Sequence, residues 1–507
     1  MLADLSEVCT NFSLRTRTQD RPWAKLIVCA QPEIERSISV NNWRNISLWM
    51  DQLDQPLHAR PALGEDLQAD VAIIGAGYTG LWTAYYLKRQ APQLKIVIVE
   101  AQTSGYGASG RNGGWLIGDL LGSDRLLAGL GAQARQASHQ LLHGIPDEVA
   151  AVLDRESIGC DYRKGGVLYC AARYPEQEAT LRAQLQAARA QGLGEEDYRW
   201  LTPSELAGQL RIANPYGALY SPHCATIQPA RLARGLAECV ERMGVKIYEH
   251  SRVTHWDSGL LRTAQGSVKA DWLVPAVEGY AASLPPLGRY QLPVQSLIVA
   301  TEPLPAETWA QIGLEHGQAF SESSRQVTYG QRSADDRLVF GARGGYQFGG
   351  RLRSDFTLKE HELELRRYLF GELFPLLRNV RLTHSWGGNL GVARRFRPHM
   401  LIDRKAGIAL SGGYGGEGVG ASNLGGRTLA SLILGQDNLL TQQPWVLGDT
   451  PLSALSGWEP EPCRWLGYNA IIKSFVHEDR VLANPATAPW RRQLAQRLAG
   501  FMEGLMR

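Results

Sequence analysis

Two short apolar runs dominate the N-terminal third of the chain. Val71–Ile74 and Ile96–Val99 are each four uninterrupted aliphatic positions, the pattern of strands buried on both faces. Between them Leu81, Ala84 and Leu87 recur at helical spacing. Further on, Leu232, Leu236 and Val240 predict a helix that ends at Gly244, followed by an alternating strand pair up to Trp256. The stretch GIALSGGY, residues 407–414, reads as another strand, and Leu424, Leu429 and Ile433 place a helix after it. Gly165–Ala172 predicts a strand, and the charged, alanine-rich stretch Pro175–Gly192 a surface helix. Residues 290–384 read as strands with one long helix near 357–375. Strands alternating with helices of this kind give an α/β fold with mixed α+β character.

Glycines sit where the first strands end. Gly75, Gly77 and Gly80 form G-x-G-x-x-G between the strand at Val71–Ile74 and the following helix. In that context the first glycine makes a tight turn, the second lets backbone approach a pyrophosphate, and the third lets helix pack on strand. Tyr78 and Thr79 open the helix, whose N-terminal N–H groups favour an anion. The second strand ends in Glu100 and Ala101, 25 residues beyond Gly75, where a carboxylate can accept ribose hydroxyls and would repel a 2′-phosphate. The nucleotide is therefore FAD or NAD. A second glycine loop, GASGRNGG, follows at once: Ala108, Ser109, Gly110, Arg111, Asn112, Gly113 and Gly114 can bring backbone against a cofactor extending beyond its pyrophosphate.

GAGYTG, Glu100 and GASGRNGG together resemble the FAD-dependent amino-acid and amine oxidase (DAO) superfamily, in its gamma-glutamylputrescine oxidase-like branch. The resemblance implies a Rossmann-type FAD-binding domain interleaved with a mixed-sheet substrate domain. It places the FAD domain at 46–125, 200–285 and 385–440, the substrate domain at 126–199 and 286–384, and a C-terminal helical tail at 441–507. Residues 1–45 form an extension without an assigned role. By the same resemblance Val253 lies beside the adenine, although simple core packing explains it equally well. Gly415, Gly416, Glu417, Gly418 and Val419 point at the N1–C2=O edge of the flavin, with Glu417 standing where many members carry histidine. The segment 337–355 resembles the one that passes over the flavin ring. Arg343 and Tyr346 are its candidate catalytic residues, joined by Trp386, with Tyr329 and Phe348 as further aromatic wall candidates. Glu278 and Gly279 fall where relatives carry a flavin-contacting turn, but Pro275 departs from that pattern.

The implied activity is oxidation of the C–N bond of an amine or amino acid, with hydride passing to FAD and oxygen reoxidising it. A carrier- or quinone-linked dehydrogenase and a flavin-binding protein without its own substrate are the alternatives. Non-covalent FAD is expected, because neither cysteine nor histidine occurs in 104–117, and 385–428 holds only His399. Arg343, Arg351 and Arg353, with no acid between them, suggest a substrate that also bears an anion.

Composition narrows the partners. The 507 residues carry 44% hydrophobic positions, 20% charged positions and a net charge of +3, giving no case for nucleic acid. Seven scattered cysteines and eleven unclustered histidines indicate neither a disulfide framework nor a metal centre, and a cytoplasmic protein is expected. No apolar stretch approaches the length of a membrane span.

Overall fold

The computed structural model describes residues 43–54, 57 and 60–506. Most of the extension expected at 1–45, Cys9 and Cys29 included, lies outside the described residues.

Strand Asp66–Ile74 lies near the centre of a nine-stranded sheet. Its neighbours on the two sides, Ile96–Val99 and Ser267–Pro275, run parallel to it. Lys246–Tyr248 extends the sheet beyond Ile96–Val99, and Ile408–Gly412, His399–Asp403 and Val446–Asp449 extend it on the other side. Helices cover one face of its central strands, and there Val71, Ile73, Ile96 and Ile98 are completely or almost completely buried. On that face they meet Trp82 and Tyr85 of the helix Tyr78–Gln90 and Leu424 and Leu429 of the helix Gly418–Ile433. The opposite face holds Val97, Val99, Leu401 and Leu410 in a second cluster.

An eight-stranded sheet forms the other half. It runs in the order Leu382–Ala393, Gln291–Thr301, Leu338–Tyr346, Tyr329–Arg332, Ala319–Glu322, Val167–Ala171, Gly217–Ser221 and Arg199–Leu201. All its pairings are antiparallel except that of Ala319–Glu322 with Val167–Ala171. One face packs Phe320 and Phe340 against Phe370 and Phe374 of the helix Glu360–Leu373 and its end. Arg366 of that helix is fully buried, and its guanidinium donates to the carbonyls of Leu297, Glu362, Ala342 and Arg343.

Sheet membership departs from the expected boundaries at three places. Gly217–Ser221 and Leu382–Ala393 belong to the eight-stranded sheet, although 200–285 and 385–440 are expected with the other half. Val446–Asp449 joins the nine-stranded sheet rather than a helical tail, because it finds a free edge beside His399–Asp403. The tail beyond it is a helix pair, Cys463–Leu482 and Pro489–Gly504.

Candidate functional site

A cleft opens where the central strands of the nine-stranded sheet end. Gly75 turns the chain there at φ +105°, and a Cβ on it would stand 2.7 Å from the Ala276 carbonyl oxygen. At Gly80 a Cβ would lie 2.2 Å from the Gly75 carbonyl oxygen and 3.0 Å from Ile73 Cγ2, so that glycine is required for helix to meet strand. Gly77 caps the helix Tyr78–Gln90 and faces the cleft, where only Ser109 Oγ comes within 3.0 Å of its would-be Cβ. Ser109 Oγ in turn accepts the Tyr78 N–H at 2.9 Å, tying the two glycine loops together.

Glu100 ends the strand Ile96–Val99 at the cleft wall, beside Ala101 and Val253. Its two carboxylate oxygens accept the Ala76 and Gln102 N–H groups, each at 2.8 Å. Burial pushes its carboxyl upward and those two N–H bonds oppose the shift.

The second glycine loop divides its work. Ala108, Ser109 and Asn112 line the cleft. Asn112 also fixes the loop itself, donating to the Ala108 and Ser109 carbonyls and accepting from the Gly114 N–H. Arg111 points the other way: its guanidinium lies 4.7 Å from the Tyr106 ring and 5.2 Å from the Phe356 ring, and Nε donates to the Tyr106 carbonyl. Gly110, Gly113 and Gly114 do not line the cleft. Gly110 packs on the Gly105 carbonyl, Gly113 on the Tyr329 ring and Gly114 on the Gln331 amide.

Gly415, Gly416, Gly418 and Val419 close the far end of the cleft. Glu278 holds this turn, accepting the Gly413 and Tyr414 N–H groups at 3.1 and 3.0 Å. Burial lifts its carboxyl to about 7. Glu417 stands just outside the lining, at the N-cap of the helix Gly418–Ile433, with Oε2 buried and without a partner. Burial, then the nearby Asp119 carboxyl, raise Glu417 to about 8. Asp119 is itself raised by burial, against hydrogen bonds from Ser123 Oγ and the Leu120 N–H.

The expected catalytic residues do not converge on the cleft. Trp386 is 1% exposed, edge-on to Trp49, and donates its indole N–H to the Arg111 carbonyl, so it is core. Tyr346 turns to the helix Cys463–Leu482 and the residues just before it, where its hydroxyl donates to Glu461 Oε1 at 2.5 Å and its ring lies 5.5 Å from Tyr468. Phe348 is 52% exposed. Arg343 reaches the same helix, 5.7 Å from the Phe475 ring, with Nε unpartnered. Arg353 forms a two-point pair with Glu362, which removes it as a free cation, and Arg351 is exposed. Tyr329 behaves differently. Its ring lies against Gly113 and Gly341 and 6.1 Å from Trp115, and its hydroxyl bonds Ser296 Oγ at 2.6 Å.

One histidine cluster has the composition of a metal site. His143 Nδ1 and His223 Nε2 both bond Asp197 Oδ1, at 3.1 and 2.9 Å. The two imidazoles are stacked 3.8 Å apart at 12°, so their planes do not meet within coordination distance and a single ion cannot meet both nitrogen lone pairs well. Hydrogen bonding to one carboxylate accounts for the arrangement.

The family model described as DAO, FAD dependent oxidoreductase, matches residues 70–432. The chain belongs to that family. It is 29% identical over 380 residues to the gamma-glutamylputrescine oxidoreductase of Escherichia coli, covering 74% of this chain and 85% of that protein. The probable oxidoreductase OrdL of Haemophilus influenzae is 28% identical over 391 residues, 75% of this chain and 86% of the relative. Among solved structures, the glycine oxidase of Bacillus cereus superimposes with a TM-score of 0.61 at 21% identity, over 74% of this chain and 98% of that one. The protein is thus a FAD-dependent oxidoreductase with the mixed α/β fold of these flavoenzymes.

Several residues that border this FAD-dependent oxidoreductase's cleft or hold its walls escaped sequence reasoning, among them Tyr280, Arg252 and Glu249. Arg252 lines the cleft outside any motif, and Tyr280 lines it directly after Glu278 and Gly279, in the turn where relatives carry a flavin contact. Glu249 lies behind the loop Thr103–Ser104, where it accepts the Ser104 N–H and hydroxyl at 2.8 Å and pairs with Arg60 at 2.9 Å. Its position directly after the edge strand Lys246–Tyr248 was the one available clue. Among the described residues no helix is long and apolar enough to cross a membrane.

Proposed function

We propose that this protein oxidises the C–N bond of an amine or amino acid, with FAD held non-covalently and reoxidised by oxygen. The cleft fits the cofactor's shape and chemistry: a glycine-lined helix N-terminus at Gly77, a carboxylate at Glu100 and a second glycine-flanked helix start at Gly415–Val419 lie along one cavity. In this reading Gly75, Gly77, Tyr78 and Thr79 hold the pyrophosphate, Glu100 the ribose hydroxyls and Val253 the adenine. Bound FAD supplies the two-electron acceptor for hydride from the carbon next to nitrogen.

The observation that carries the reading is the single cleft that joins the helix start at Gly77, the Glu100 carboxylate and the helix start at Gly415–Val419. Tyr329 and Trp115, edge to face beside the second glycine loop and outside that lining, are the aromatic surroundings this reading assigns to the amine. A primary amine is protonated in water, with a pKa near the ~10.4 of lysine, and must lose that proton before it can give hydride. Apolar, aromatic surroundings disfavour the charged form and so supply the free amine. The names of the relatives, a gamma-glutamylputrescine oxidoreductase and a glycine oxidase, point to the same substrate class. Of the three arginines expected to read a substrate anion, Arg353 is paired and Arg351 exposed. Arg343 is partly buried with no carboxylate partner among the described residues but lies against Phe475 outside the cleft lining, so the preference for an anionic amino compound rests on Arg343 alone.

A peroxide-coupled assay tests the oxygen step. Peroxide should form in step with amine consumption, and turnover that requires an added quinone or dye contradicts it.

Non-covalent binding is supported by the cleft lining, which holds neither cysteine nor histidine among the described residues. His399 lies in a separate small cavity behind Glu278. Acid precipitation is expected to leave the yellow colour in the supernatant, and a yellow pellet contradicts the proposal.

Glu417 gives a pH signature. Its folded pKa is raised, so the native state holds a proton that the unfolded chain has already released. Stability from this group therefore falls as pH rises from the ordinary carboxylate range toward about 8. The Glu417→Gln variant, neutral at every pH, should lose less melting temperature between acid and mildly alkaline buffer than the parent does. Identical profiles would contradict the raised pKa.

A further inference from the structure

The final helix, Pro489–Gly504, is built inside out. Towards the protein it buries only Ala495 and Ala499. Trp490, Leu494, Leu498 and Phe501, with Leu505 just beyond the helix, are between 45 and 66% exposed. At 3.6 residues per turn these five side chains fall within an arc of about 80°, centred about 120° round the helix from the two alanines. A surface helix normally turns its large apolar residues inward, so this stripe lacks, among the described residues, the cover that the rest of the fold gives such residues.

Charge says what would cover it. The acids of 463–506 all face inward, onto arginines of the eight-stranded sheet or its loops: Glu478 and Glu503 bond Arg325 at 2.5 and 3.2 Å, and Asp479 bonds Arg173 at 2.6 Å. Lys473, Arg491 and Arg497 are exposed. The outer surface of the helix pair is therefore apolar and cationic together, with Arg491 lying 5.2 Å over the Trp490 ring. A second copy of the same face would bring like charges together around the stripe. An anionic phospholipid surface offers acyl chains to the stripe and phosphates to the cations.

We propose that the helix Pro489–Gly504 lies in the plane of an anionic bilayer surface, with Trp490, Leu494, Leu498 and Phe501 inserted below the headgroups and Arg491 and Arg497 at phosphate level. The protein then binds the membrane from one side without crossing it.

Flotation of the full-length holoprotein with phosphatidylcholine vesicles, with and without phosphatidylglycerol, tests this. The protein should float with the phosphatidylglycerol vesicles and be released by high salt. Phe501→Gln and Leu494→Gln should each lower vesicle partitioning about tenfold, the loss of one inserted side chain, while leaving flavin content and melting temperature unchanged because both positions are exposed. No flotation of the parent, or equal flotation of Phe501→Gln, overturns the proposal. So does a lipid-free dimer in sedimentation that Phe501→Gln abolishes, since the stripe would then belong to a second copy.

Discussion

The Gly77→Val protein is expected to purify folded and colourless. A Cβ at position 77 meets only Ser109 Oγ, at 3.0 Å, so the helix Tyr78–Gln90 and its strand stay in place. The perturbed bond from the Tyr78 N–H to Ser109 Oγ costs about 1 kcal/mol at most. The two γ-methyl groups, however, project into the cleft at the helix N-terminus, where the pyrophosphate has to approach backbone. Gly80 would be a poor choice for this test, since a Cβ there stands 2.2 Å from the Gly75 carbonyl oxygen and the fold itself would fail. Absorbance after desalting, read beside a thermal melt, separates the two effects. A folded Gly77→Val protein that keeps its full flavin complement would move the phosphate site elsewhere.

The second large effect is on stability. Glu249 is 2% exposed and accepts from the Ser104 N–H and hydroxyl, from Thr103 Oγ1 and from the buried guanidinium of Arg60. Arg60 also bonds Glu241, and Arg234 stands 3.3 Å from the Glu249 carboxylate. Glu249→Leu removes the acid and strands the N–H of the loop that follows Glu100. The expected loss is about 3–5 kcal/mol, the usual result of breaking a buried ion pair at one end. Denaturant unfolding of the apo-protein measures it. A loss below about 1 kcal/mol would show that water replaces the carboxylate. The pH dependence has a definite sign. Burial works against the Glu249 charge, but the Ser104 bonds and the Arg60 charge outweigh it and hold the folded pKa below the ordinary value. The stability it gives is complete above the ordinary carboxylate range and is lost as pH falls through the lowered pKa. In Glu249→Leu that part of the acid sensitivity should be absent.

What the sequence could show depended on how local each feature is. Val71–Ile74 and Ile96–Val99 were readable because a strand buried on both faces must be apolar at every position. Gly75, Gly80 and Glu100 were readable because turn, helix contact and strand end are separated by fixed numbers of residues. Which sheet a strand joins is not local: Gly217–Ser221 and Leu382–Ala393 look the same from sequence whichever half receives them. Trp386 and Tyr346 lie away from the cleft lining for a related reason. Both lie on strands whose faces alternate, and only the tertiary fold sets Trp49 over one and Tyr468 over the other. The Asp119–Glu417 pair and the Arg60–Glu249 pair join segments far apart in the chain, and no spacing rule finds them.

The account stands or falls on whether a C–N donor reduces the bound flavin. Under strict exclusion of oxygen, the yellow holoprotein is mixed with a panel of amines and amino acids and its visible absorption followed. Bleaching of the flavin band by at least one of them, with NADH and 2-hydroxy acids leaving it intact, is the predicted result. A band that no amine or amino acid bleaches, or that NADH alone bleaches, would contradict the account.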